Sequence, residues 1–182
     1  MRKFCLTIIV LAGFSKALFA QFGNCTASEM QTYTDRETGN TITILTDTLK
    51  NDRFLYQTDP MWTHDGKYLL FRSSSRANDK KIERTLPNGE KRSWTPTQIY
   101  FIEMATGQII QATEGPDLGS AFLANKSNRM FISRKEKEDW NMYVMDLDKF
   151  FADVKKGKVG KPTAYETLLG TFPTSMGRPG GY

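Results

Sequence analysis

Apolar residues in this chain come in short runs separated by polar turns, and the runs repeat. Met61-Trp62, Tyr68-Leu69-Leu70-Phe71, Ile99-Tyr100-Phe101-Ile102 and Ile109-Ile110 follow one another in a first stretch. A second stretch repeats the order with Ala121-Phe122-Leu123, Met130-Phe131-Ile132, Met142-Tyr143-Val144-Met145 and a weaker run, Ala164-Tyr165-Glu166-Thr167-Leu168-Leu169. Short runs rich in aromatic and β-branched residues, bounded by Gly, Asp and Asn, predict strands. Asp65-Gly66 and Thr106-Gly107 each join two runs where a tight turn needs positive φ. No amphipathic helix of sufficient length is expected between these strands, so a parallel α/β sheet is set aside.

Side chains alternate across a strand, which puts Leu69 and Phe71 on one face and Tyr68 and Leu70 on the other. A strand apolar on both faces belongs to a sheet sandwiched between neighbours. Repeated units of four short antiparallel strands, each apolar on both sides, predict blades of a β-propeller. The predicted fold is therefore all-β: a partial β-propeller over residues 31–182, with two four-stranded antiparallel blades at about 59–113 and 117–170. Residues 40–46 form an N-terminal opening strand. It follows Glu37-Thr38-Gly39 as the last strand of the first blade follows Thr106-Gly107, and is expected to be the outer strand of a blade completed elsewhere. Two blades close no ring. The chain is thus expected to be part of a longer gene product, to expose an apolar sheet face on each outermost blade, and to self-associate if it stands alone.

Residues 1–20 read as a signal-peptide helix. Arg2-Lys3 supplies a positive start, Phe4 to Phe14 an apolar stretch, and Ala17-Leu18-Phe19-Ala20 a cleavage site that leaves Gln21 as the new N-terminus. The apolar stretch is short for a membrane span and is broken by Gly13, Ser15 and Lys16. Residues 21–30 are expected to be a linker, and the mature protein to be periplasmic or secreted, without a membrane contact.

The leader also changes how the charge is read. The formal charge is +5, but Arg2, Lys3 and Lys16 leave with the leader, which holds no acid, so about +2 remains. Basic and acidic residues are intermingled in that remainder, which argues against nucleic acid as a partner. Of the two cysteines, Cys5 lies in the leader, so Cys25 has no internal disulfide partner. The chain has one histidine, His64. No metal cluster of His and Cys is expected from it, and no cofactor is assigned to this chain on its own residues.

The segment Asp59-Pro60-Met61-Trp62-Thr63-His64-Asp65-Gly66-Lys67-Tyr68-Leu69-Leu70-Phe71 resembles the repeat of TolB-type propellers. A narrower resemblance begins upstream. Tyr33-Thr34-Asp35-Arg36-Glu37-Thr38-Gly39 and the strand after it resemble the opening of the oligogalacturonate lyases, and Tyr56-Gln57 and Gln111-Ala112-Thr113-Glu114-Gly115 continue that order. The similarity covers roughly residues 31–150. It implies a parent acting on acidic pectin oligomers by eliminative cleavage, with a histidine base and manganese held by histidines of later blades. None of those positions lies in this chain, which alone is expected to be inactive. The partner implied is an acidic oligosaccharide. Under the TolB resemblance it is instead an envelope protein bound by a non-enzymatic scaffold. A propeller of a prolyl-oligopeptidase-type peptidase is a third reading, without the Gly-x-Ser-x-Gly elbow that its hydrolase domain would carry.

Propeller ligands meet the loops that run from an outer strand to the next inner strand, here residues 47–59 and 114–119. Arg53, Tyr56 and Gln57 are the candidate ligand residues, because a guanidinium forks onto a carboxylate through two hydrogen bonds. An ordinary polar loop with Tyr56 packed on the blade rim is the plainer account of the same residues. Trp94, in the polar insertion over 73–97, is a candidate sugar platform or a pin for its own loop. Trp62 is expected in the core between blades. His64 is expected at the opposite end of the blade, without a catalytic partner, and Asp35 and Asp59 make no carboxylate pair.

Overall fold

The computed structural model describes residues 21–77, 81–85, 88–115 and 118–176. The proposed leader and its cleavage site, and Asp117, lie outside the described residues. The N-terminal part contributes strands β1 (Cys25–Thr26), β2 (Gln31–Thr34), β3 (Thr41–Ile44) and β4 (Asp52–Arg53). The middle contributes β5 (Tyr68–Ser73), β6 (Ile82–Thr85), β7 (Lys91–Trp94), β8 (Gln98–Glu103) and β9 (Ile109–Gln111). The last part contributes β10 (Leu118–Leu123), β11 (Arg129–Glu136), β12 (Asp139–Asp146), a helix α1 (Leu147–Lys155) and β13 (Glu166–Pro173).

Nine of these strands form two antiparallel sheets that correspond to the two expected blades. The first has the order β1-β9-β8-β5-β4 and the second the unbroken meander β10-β11-β12-β13. The fold is the all-β partial propeller expected, with no closed barrel among the described residues. Turn chemistry sets the register. Gly66 has φ +70°, and Thr63 Oγ1 donates to Asp65 across the same turn at 2.7 Å. The two turns matched in the sequence close alike: the Gly39 amide donates to Asp35 O at 2.9 Å and the Gly107 amide to Glu103 O at 2.7 Å.

One continuous core joins the blades. Tyr68, Leu70, Ile99, Phe101 and Ile110 come from the first sheet, and Leu123, Met130, Ile132 and Met145 from the second. Each fully buried side chain of this size contributes about 1.5–3 kcal/mol. The helix α1, which the strand pattern did not anticipate, closes the outer side of this core. Asp146 caps it by accepting from the Lys149 amide at 3.0 Å, an arrangement that contributes about 1 kcal/mol. Leu147, Phe150, Phe151 and Val154 fall at helical spacing and are buried. Phe151 stacks on Tyr68 with ring centroids 3.6 Å apart. The sheet stays antiparallel around the helix, because β12 pairs with β13 in that sense. It is an insertion in a hairpin, not a crossover.

Four further expectations change. Residues 21–30, expected to be a linker, include Phe22, which is buried against Phe150 at 5.1 Å, and β1, which pairs with β9. An aromatic beside an open strand edge is held down by both contacts. Strand β3 pairs with β2 in a separate hairpin, outside either blade sheet. The first strand of the first blade is broken: Trp62 makes a single bridge to Leu69, while Asp52 and Arg53 pair with the far end of β5. Trp62 is consequently 46% exposed rather than in the core, since this inner edge has no further strand beside it among the described residues. The polar insertion is itself a hairpin, β6 with β7.

The expectation of an exposed face on each blade holds for one blade only. Phe71, Tyr100, Ile102 and Ile109, on the outward side of the first blade, are all buried, with Leu45 and Met104 packed against them. The N-terminal segment covers that face, and Arg76 anchors the cover. Its guanidinium lies 5.3 Å from the Phe71 ring centroid and forks onto Glu29 at 2.9 and 2.6 Å. Its Nε donates to Asp52 at 2.9 Å. The outward side of the second blade carries Phe122, Phe131, Met142, Val144 and Trp140, all half-buried, and the exposed Phe172.

Candidate ligand groove between the blades

A groove of about 1170 Å³ opens between the inner part of the first blade and β10 of the second. Arg53, Tyr56, Gln57 and Trp94 all line it. Two separate segments supply them, residues 53–57 and the end of β7, so the fold brings together residues that lie up to a blade's length apart in sequence. Asn51 holds the first segment: its amide donates to Ser75 Oγ at 2.8 Å and its side chain to Ser74 Oγ at 2.7 Å. Arg53 Nε in turn donates to Asn51 Oδ1 at 3.2 Å. Tyr56 is 57% exposed and Trp94 37% exposed, with the Arg84 guanidinium 5.6 Å from the Trp94 ring centroid. Asp59, Thr95 and Pro96 complete that side.

The opposite wall is built on a buried polar network. Thr113 Oγ1 donates to Gln98 Oε1 at 2.8 Å and accepts from the Ile99 amide at 2.8 Å. Gln98 Nε2 donates to Gly115 O at 2.6 Å and Gln111 Nε2 to Thr113 O at 2.8 Å. Buried amides and hydroxyls satisfied in this way fix the start of the loop into the second blade. Leu118, Gly119 and Ser120 then form the far lip of the groove.

Arg72 also lines the groove and was not singled out in the sequence. A charged residue breaking the otherwise apolar run of β5 was the available signal. It stands directly opposite Arg53 in the β4–β5 register. Asp59 faces the groove without an ion pair to either arginine.

His64 lies away from this groove, at the turn end of the blade. Its Nδ1 is 3.1 Å from Asn125 O, and the Asp65 amide donates to Asn128 Oδ1 at 3.2 Å. The two turns of successive blades are thereby joined. Asp65 is partly buried, which raises a carboxyl's pKa, but hydrogen bonds from Thr63 and Lys67 outweigh this and hold it at about 2. Asp35 caps its own turn, accepting from the Glu37 and Thr38 amides, far in role from any carboxylate pair. Among the described residues no group of three or more His, Cys, Asp or Glu side chains is placed to hold a metal ion. The described residues therefore offer manganese no fitting set of ligands. No helix among them is long and apolar enough to cross a membrane.

Among the solved structures that share this fold are two oligogalacturonate lyases. An oligogalacturonate lyase in complex with manganese aligns over 72% of this chain and 30% of its own, with 22% identity and a TM-score of 0.51. An oligogalacturonate lyase from Vibrio parahaemolyticus aligns over 71% and 29%, with 23% identity and a TM-score of 0.51. The chain thus spans about 30% of the length of the lyases it matches. No protein-family model and no curated protein matches the sequence.

Proposed function

We propose that this chain forms the N-terminal part of an exported carbohydrate-active propeller, and that its groove takes an acidic oligosaccharide of the kind released from pectin. The observation that supports this most is the convergence of Arg53, Tyr56, Gln57 and Trp94 on one groove, in a fold shared with oligogalacturonate lyases. Aromatic faces pack against sugar rings, a guanidinium takes a carboxylate, and an amide reads hydroxyls. Eliminative cleavage and its manganese belong in this reading to later blades of a longer protein, and export follows from the leader. Titration calorimetry of the chain with de-esterified galacturonide oligomers, beside a neutral galactan, tests the proposal. Saturable binding of the acidic oligomers is expected. A chain that binds neither, yet captures an envelope protein through Arg53 and Trp94, would favour the scaffold reading instead.

A further inference from the structure

We propose that Arg53 and Arg72 together form a seat for one carboxylate, so that the groove selects uronic acids over their methyl esters; this rests on the carbohydrate reading above. The two residues are direct partners across an antiparallel pair, so their side chains leave the same face with Cβ atoms about 5 Å apart. Like charges placed in this way repel, and a folded protein ordinarily neutralises them with an acid nearby. Here the nearest acid in the strand, Asp52, points to the other face by strand alternation. It is already bound to Arg76.

Arg76 and Arg134 show what a satisfied guanidinium looks like in this protein. Arg76 forks onto Glu29, and Arg134 forks onto Glu166 at 3.0 Å through both terminal nitrogens. Arg53, by contrast, makes one side-chain hydrogen bond to the neutral Asn51, and among the described residues Arg72 has no carboxylate within ion-pair distance. Both line the groove and both are exposed to it. Two forked donors facing one cleft match the planar, two-oxygen geometry of a carboxylate. The aromatic surfaces of Tyr56 and Trp94 in the same cleft favour a sugar as its bearer.

The test compares a galacturonide trimer, its fully methyl-esterified form and inorganic phosphate as titrants of the full chain, the Arg72→Met and Arg53→Met variants, and Arg72→Lys. Thermal unfolding by circular dichroism confirms that each variant is folded. The trimer is expected to bind the wild type, and about tenfold more weakly to either methionine variant, the loss typical of a charged hydrogen-bonding partner. The ester is expected to bind weakly and equally to all of them, and Arg72→Lys to fall between. Equal affinity of the wild type for trimer and ester would overturn the seat while leaving the carbohydrate reading standing. So would an Arg72→Met variant that keeps full affinity for the trimer. Arg72-dependent binding of phosphate with no binding of either oligomer would overturn both.

Discussion

The outward faces of the two blades are built from similar residues and end in different states. Phe71, Tyr100, Ile102 and Ile109 on the first are 1–3% exposed. On the second, Phe122 and Phe131 stack at 5.2 Å but remain half-open, and Phe172 is 38% exposed. The difference is the N-terminal segment, which lies on the first face and has no counterpart on the second among the described residues. A sheet face that is apolar by composition is thus buried or bare according to what one charged cluster pins against it.

That cluster gives the largest test. Arg76 has a side chain only 7% exposed, against two acids that are 24% and 9% exposed. Removing one member of such a group leaves the others charged and unpaired, and costs about 3–5 kcal/mol. The Arg76→Met variant should therefore unfold at markedly lower denaturant and bind a hydrophobic dye through the uncovered Phe71 face. Arg76→Lys should recover part of the loss, since the charge returns without the fork. A methionine variant within 1 kcal/mol of the wild type would show that apolar packing alone holds the cover.

Acid sharpens the same comparison with a smaller effect. The hydrogen bonds from Arg76 hold the Glu29 carboxyl at about 2, against an ordinary value of 4.5. Because the folded value is the lower one, its stabilisation is complete above pH 4.5 and is lost as the pH falls towards 2. The loss is roughly 2 kcal/mol after allowing for partial exposure. Asp65, also held at about 2, contributes a slope in the same window from the turn between blades. Denaturant titrations between pH 5 and pH 2 should show both slopes in the wild type and only the Asp65 part in Arg76→Met. An unchanged slope in the variant would separate Glu29 from the cover.

Strand content was legible in the sequence because it rests on local signals: the two-sided apolar runs of β5 and β8, and glycines at 66 and 107 where φ is positive. The groove was half legible. Arg53, Tyr56 and Gln57 belong to a segment expected from the sequence to face a ligand, and Trp94 to an insertion near it, but Arg72 joins them only through its cross-strand register. The helix α1 carried a full signature, Asp146 followed by Leu147, Phe150, Phe151 and Val154 at three- and four-residue spacing. The repeat of strands on either side conceals it, since that pattern calls only for a turn between β12 and β13. The cover was invisible for a different reason. Glu29, Asp52 and Arg76 are unremarkable charges until the chain has folded back over 47 residues, and no periodicity records such a contact.

The smallest effect on stability belongs to the open face, and it carries the most direct reading of the comparison. Phe172 lies opposite Trp140 on the outermost strand of the second blade, beside Leu168 and Leu169, both more than half exposed. Phe172 is 38% exposed, so replacing it with serine gives up part of a ring's burial and should lower folding stability by about 1–2 kcal/mol. Association should respond more strongly, because an apolar face on an unpaired edge strand is the surface that another sheet pairs with or stacks on. Sedimentation over a range of concentrations should show the wild type associating and Phe172→Ser shifted towards monomer. A monomeric wild type at every concentration would mean that half-buried aromatics on this face are compatible with water. The contrast between the two blades would then be one of packing alone.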